Sequence, residues 1–276
     1  MRRDCLPFIL AAALLTGGCE LDSPSGDAPP ASESPFQAPP LLQGPRRPTE
    51  LLISRVRLVI LKVPLGTISR SERLWSYVDE ERADPVRTAN LGRNGVRAGV
   101  VSGQHWPDVM GLLEDMTGRP LRLATMIARP GEPMTVTLKK GQPVQTLFIW
   151  HDDRTVSGRD YPPGDNLLTV SCSPNPREPS KAVMTVVPRL RTAAERITYG
   201  IEGGAPLLSS RPGIRGFDAM AFQSVMSEDD VLVIGPGAAS RRPTSIGGRF
   251  FLDDALGVEH EMVLLMIPEA EAVPLK

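Results

Sequence analysis

The residues with the widest chemical reach in this chain stand together at His151-Asp152-Asp153, followed by Arg154. An imidazole beside two carboxylates supplies the ingredients of a metal site or of general acid–base catalysis. A zinc or two-metal site needs three or four ligands oriented by further hydrogen bonds, and no other histidine lies nearby in sequence. A polar hairpin tip after Trp150 is the favoured reading of the run. His105 stands in the first turn of an expected helix and His260 at a strand entry, both ordinary solvated positions. Neither is accompanied by the G-x-S-x-G elbow that presents a nucleophilic serine. Cys172 alternates with apolar neighbours and reads as a small core residue. Gly92 to Gly99, GRNGVRAG, lacks the Lys-Ser/Thr of a phosphate loop and the strand-glycine-helix order of a dinucleotide site. It reads as a turn. Arg46-Arg47 and Arg241-Arg242 fall in loops, where the choice lies between solvated charge and contact with anionic headgroups. No catalytic residue, metal ligand or cofactor site is therefore expected.

The elements that must position these residues begin with a tether. Residues 20–48 are rich in Pro, Ser and Ala without apolar periodicity, so they cannot bury enough surface to order themselves. As a coil they span roughly 30 Å. From Leu51, apolar and polar residues alternate up to Pro64 and Gly66, which predicts a half-buried strand. Ser69 stands three residues before Glu72, a capping-box spacing for a helix carrying Leu74, Trp75 and Val78. Pro85 starts a second short helix through Leu91. A strand over 96–102 follows, and then a helix with Trp106, Val109, Leu112, Leu113 and Met116 on one face, ended by Gly118 and Pro120. A third strand over 121–128 completes an α/β module at 50–129.

From Pro130 the helical period disappears. Alternation or β-branched runs at 134–138, 146–150, 168–172, 182–187, 217–226, 231–234, 249–252 and 262–267 predict six to nine strands. The fold class expected is α+β: a small N-terminal α/β module followed by a mainly antiparallel β domain at 130–271.

Composition narrows the function classes. Lys and Arg nearly balance Asp and Glu, with a formal net charge of -1, so neither a basic nucleic-acid face nor an acidic tail is present. Aromatic residues make up only 5% of the chain, which disfavours a carbohydrate-stacking platform. Arg2 and Arg3 precede an apolar run from Leu6 to Leu15, and small residues lead into Cys19. This is the layout of a secretory signal peptide, residues 1–18, and its apolar run is too short to cross a bilayer core that needs about 20 residues. With Cys19 modified, Cys172 has no partner for a disulfide, and the domain must be held by its core.

Leu14-Leu15-Thr16-Gly17-Gly18-Cys19 resembles the lipobox of bacterial lipoproteins, with Thr16 where that family usually carries Leu. The resemblance implies cleavage before Cys19, acylation of Cys19, and anchorage to a membrane of the bacterial envelope through residues 19–49. Residues 229–271 resemble the closing hairpins of the bacterial secretins. The parts are an apolar strand ending in Ile234-Gly235, an Ile246-Gly247 step before Phe250-Phe251, and Glu261 leading an apolar strand to Pro268. Thr185 to Leu190 is similar to a strand-to-Pro segment upstream in that family. The family's long gate-forming insert and its Val-Pro-x-Leu-Gly-Asp run are absent, so no pore is implied. These resemblances point to a structural or interaction role, self-assembling or docked on an envelope partner, without catalysis and without nucleic acid. The competing reading is an envelope hydrolase or ligand-binding lipoprotein that uses residues 151–154.

Overall fold

The computed structural model describes residues 50–82, 85–202, 205–255 and 257–274. Cys19, the signal segment, the tether and Arg46-Arg47 lie outside the described residues.

The chain opens with strand β1 (Glu50–Pro64), followed by helices α1 (Glu72–Trp75) and α2 (Pro85–Arg93), strand β2 (Val96–Val101), helix α3 (Trp106–Thr117) and strand β3 (Ala124–Ala128). Strands β4 (Met134–Gln142), β5 (Gln145–Trp150), β6 (Val156–Tyr161), β7 (Gly164–Pro174), β8 (Ala182–Glu202), β9 (Ala205–Gly216), β10 (Phe222–Met226) and β11 (Val231–Pro236) come next. Helix α4 (Ile246–Phe251), strand β12 (Leu252–Ala255) and strand β13 (Val258–Pro274) close the described chain. The fold is α+β and mainly antiparallel, as the periodicities predict.

Two sheets carry the architecture. One has the order β2-β11-β13-β1-β3, with β12 also on β13; the other has the order β10-β8-β7-β4, with β9 on β8. A separate hairpin pairs β5 with β6. The first sheet takes β1, β2 and β3 from one side of residue 129 and β11, β12 and β13 from the other, and β1 pairs with β13 from Glu50↔Pro274 to Pro64↔His260. The expected boundary at 129/130 therefore does not separate two structural units, because the C-terminal strand completes the N-terminal sheet.

One face of that sheet is covered by helices. Val59, Leu61 and Val63 of β1, Val233 of β11 and Val263 and Leu265 of β13 pack with Leu74, Trp75, Val109, Leu112 and Leu113. The opposite face, with Val56, Leu58, Leu232, Leu264 and Met266, packs against the second sheet through Leu168, Val170, Met184 and Val186. Successive side chains of a strand point to opposite faces, so a strand between two layers is apolar on both. β1 is therefore buried on both sides over 56–63 apart from Arg57, Ile60 and Lys62, where the alternation suggests half-burial.

Other local expectations are also corrected. The side chain that caps α1 is Ser71, which accepts from Leu74 N at 3.1 Å, while Ser69 instead donates its hydroxyl to Glu261. Residues 249–252, expected as a strand, lie mostly in α4, whose start is capped by Ser245 accepting from Gly248 N at 3.0 Å. Ten strands follow residue 130 in the described chain, one more than the upper expectation; β6, β9 and β12 are additions. In the segment likened to secretin hairpins, β11 and β13 do pair antiparallel, with α4 between them in sequence.

Candidate functional site

The His151 run sits where β5 turns into β6. His151 N donates to Thr155 O at 2.9 Å and Arg154 N donates to His151 O at 3.0 Å, with Arg154 at φ 65, so the run is a tight hairpin turn. Its two carboxylates point away from the imidazole's task. Asp152 pairs with Arg87 of α2 at 2.7 Å, and Asp153 accepts from the Thr155 hydroxyl at 2.7 Å and the Thr155 N–H at 3.0 Å. Those Thr155 donors hold the Asp153 carboxyl below the usual carboxylate range. Among the described residues no group of three or more His, Cys, Asp and Glu side chains is placed to hold a metal ion.

The partner of His151 is Ser157, a residue the sequence did not single out. His151 Nε2 lies 2.7 Å from Ser157 Oγ. Ser157 faces Ile149 across the hairpin, so His151, two residues further along, shares its face and meets it diagonally. The two border an open groove of about 400 Å³ with Arg159, Tyr161, Phe217 and Asp218. An imidazole nitrogen against a hydroxyl is the first contact of a nucleophile–base pair. Both side chains are reached by solvent.

The hairpin is fixed from inside at Trp150, the last residue of β5 before the turn. Asn94, fully buried at the end of α2, donates through Nδ2 to Trp150 O at 3.0 Å and accepts at Oδ1 from Trp150 N at 2.9 Å. Its own carbonyl accepts from Gly247 N at 2.8 Å, and Gly95 O accepts from Gly237 N at 2.8 Å. Gly95 has φ +79, and a Cβ there would meet Ser240 N at 2.6 Å; one on Gly247 would meet Gly95 O at 1.8 Å. The glycine-rich run is thus a turn, as expected, and also the point where α2, β5 and the 237–248 segment come together.

The remaining candidates disperse. His105 borders a separate groove of about 640 Å³ with Tyr77, Asp79, Arg82 and Asp230, in which Arg82 pairs with Asp230 at 2.8 Å. His260 Nδ1 lies 3.0 Å from Val258 O. Cys172 is buried, and burial pushes its thiol pKa up, which keeps it protonated as a core residue. Arg242 reaches the Ala239 and Arg93 carbonyls, which makes it a loop brace. Lys139 of β4 is a further partly buried cation. Its half-buried amine donates to Leu252 O, and burial lowers its pKa to about 8 against the opposing pull of Asp253, which is itself bound to Lys62 at 2.6 Å. The hydrogen bond from Lys62 holds Asp253 below the usual carboxylate range. Nothing in the local sequence marks Lys139, because its environment is assembled from β1, β4 and β12.

No family model matches the chain, and no curated protein does. Among solved structures, the type IV competence pilus secretin PilQ of V. cholerae aligns at 10% identity and TM-score 0.23, covering 82% of this chain and 62% of that one. Aeromonas hydrophila ExeD aligns at 8% identity and TM-score 0.20, over 82% and 49%. The Klebsiella pneumoniae type II secretion system outer membrane complex of PulD, PulS and the PulC HR domain aligns at 11% and 0.18, over 82% and 40%. The likeness to secretins is weak and below the level of a shared fold, and the chain spans less than two thirds of the length of each.

Proposed function

We propose that this chain is a lipid-anchored protein of the bacterial envelope that works by interaction, either with an envelope partner or with further copies of itself. In this reading residues 1–18 are removed, Cys19 carries the lipid, and residues 20–48 hold the folded part some tens of ångströms off the bilayer. No helix of the described residues is long and apolar enough to cross a membrane. The observation that supports interaction is the margin of the first sheet. Its outer strand, β3, pairs with β1 and with no other strand of the described residues, and it exposes Ile127 to 59%, with Leu123 just ahead of it exposed to 45%. An open, apolar sheet edge is a template for pairing with another chain.

The test joins anchor and edge. Cells carrying a photo-crosslinking residue at Ile127 are illuminated, with and without Cys19→Ala, alongside labelling with a palmitate analogue. The expected result is a discrete adduct and label in the parent, with the label lost in Cys19→Ala. Equal labelling of both refutes the anchor, and the absence of any adduct at Ile127 refutes interaction through this edge.

One observation favours a second reading, a hydrolase: the 2.7 Å contact of His151 Nε2 with Ser157 Oγ beside a groove. A fluorophosphonate probe that labels the parent protein but not Ser157→Ala would support it. No labelling of the parent sinks it.

A further inference from the structure

We propose that the open edge of β1 beyond Leu58 is a strand-addition site for an extended, acidic peptide segment of a partner protein. This rests on the interaction reading and names its occupant.

β3 covers β1 only from Ser54↔Ala128 to Leu58↔Ala124. The chain leading into β3 leaves the sheet at residues 119–123, so β1 runs on from Val59 to Pro64 with β13 on one side and no strand of the described residues on the other. Alternate backbone N–H and C=O groups along this length face the vacated side, which a strand about 4.8 Å away would satisfy. The space is present as an open groove of about 520 Å³ bordered by Val59, Ile60, Leu61, Arg119, Pro120 and Arg122.

The occupant's chemistry follows from the rim. Arg119 and Arg122 are exposed, and neither guanidinium has a hydrogen bond or ion pair among the described residues. Glu114, the nearest acid in sequence with a defined contact, is held by the N–H of Leu121 at 3.2 Å. Two unpaired guanidinium groups beside vacant strand donors and acceptors suit a strand carrying Asp or Glu. Ile60, 40% exposed, offers an apolar contact at the middle of the edge.

Two other occupants fit less well. A second copy pairing edge to edge would bring its own Arg119 and Arg122 to the same rim, where like charges repel. The chain's own acidic tether carries Pro24, Pro29, Pro30, Pro35, Pro39 and Pro40, so it cannot supply an uninterrupted row of N–H donors.

The test uses the full chain in detergent and a fluorescent twelve-residue peptide alternating Val or Thr with Glu. Binding is followed by anisotropy. The acidic peptide is expected to bind, and to weaken at least tenfold for three changes: Arg119→Glu with Arg122→Glu, N-methylation of alternate peptide residues, and replacement of its Glu by Lys. Equal binding of the N-methylated peptide overturns strand addition, and equal binding by the double variant overturns the acidic specificity. No binding to the parent overturns the site. Dimerisation of the double variant in light scattering overturns it too, by assigning the two arginines to guarding the edge against self-pairing. If the site falls while the Ile127 adduct persists in cells, the interaction reading stands without it.

Discussion

Residues 92–95 and residues 151–154 are both short polar runs at the end of an element, and they differ in what surrounds them. At the first, Asn94 is fully buried and its side chain and carbonyl reach Trp150 and Gly247, with Gly95 close against Ser240. At the second, His151 and Asp153 find partners within the hairpin and Asp152 makes an exposed ion pair with Arg87. A buried polar group left without its partner bears the full cost of desolvation, while an exposed one returns to water. The run of residue types that suggests chemistry is therefore the dispensable one for the fold, and the run that suggests a plain turn is its junction.

The sharpest way to break this contrast is Gly247→Ala. The new Cβ would stand 1.8 Å from the Gly95 carbonyl oxygen, a backbone atom with no rotamer by which to move aside. We expect a loss of at least ~4 kcal/mol, read as failure to fold or a collapse of the denaturant midpoint. A fully folded variant with an unchanged midpoint would show that the junction is loose.

Asn94→Ala comes next. It removes both side-chain bonds to Trp150 and leaves that residue's N–H and C=O without them, for an expected loss of about 2–4 kcal/mol in urea denaturation. Hydrogen exchange of the Trp150 N–H should accelerate more than that of β11. Uniform acceleration would mean that Asn94 stabilises the whole chain and does not specifically fix the β5–β6 hairpin.

These two sites also show what was legible in the sequence. β1, β2 and α3 are legible almost to their ends because their apolar periods are long and clean, and Gly118 at φ 63 ends α3 as its residue type implies. The return of β13 to β1 was not legible, because pairing across some 200 residues leaves no local signal. β6, VSGRDY, is exposed along nearly its whole length and so carries no alternation to read. α4, IGGRFF, is one and a half turns long with two glycines and a Phe pair, and reads as a strand until the Ser245 cap and the close fit of Gly247 on Gly95 override its propensity. Of the candidate site, His151 was visible by type. Ser157 was not, since their meeting depends on the register of the hairpin.

Lys139 lies between the two extremes and gives a pH dependence. Burial lowers its pKa to about 8 in the folded chain, against 10.5 for a free lysine. Below pH 8 the amine is charged folded and unfolded, and the cost of burying the charge is constant. Between about 8 and 10.5 the unfolded chain binds more protons, so this group makes stability rise with pH, and above that window both states are neutral. The parent should gain roughly 1–3 kcal/mol relative to Lys139→Met between pH 8 and 10.5 in urea midpoints. Parallel pH profiles for the two proteins would place the amine in solvent.

The smallest effect is expected at the tip. Asp152→Ala removes the 2.7 Å ion pair with Arg87, in which both side chains are more than a third exposed. Arg87 keeps a contact to the Ala219 carbonyl, so its charge is neither buried nor stranded. An exposed pair of this kind contributes up to about 0.5 kcal/mol, and less as salt is raised. The melting temperature should therefore stay within about 2 °C of the parent. A loss above ~1 kcal/mol would mean that the tip is bound to α2 by more than this pair. The turn would then be held to α2 by more than the Asn94 bonds to Trp150, and the contrast with the Asn94 junction would disappear.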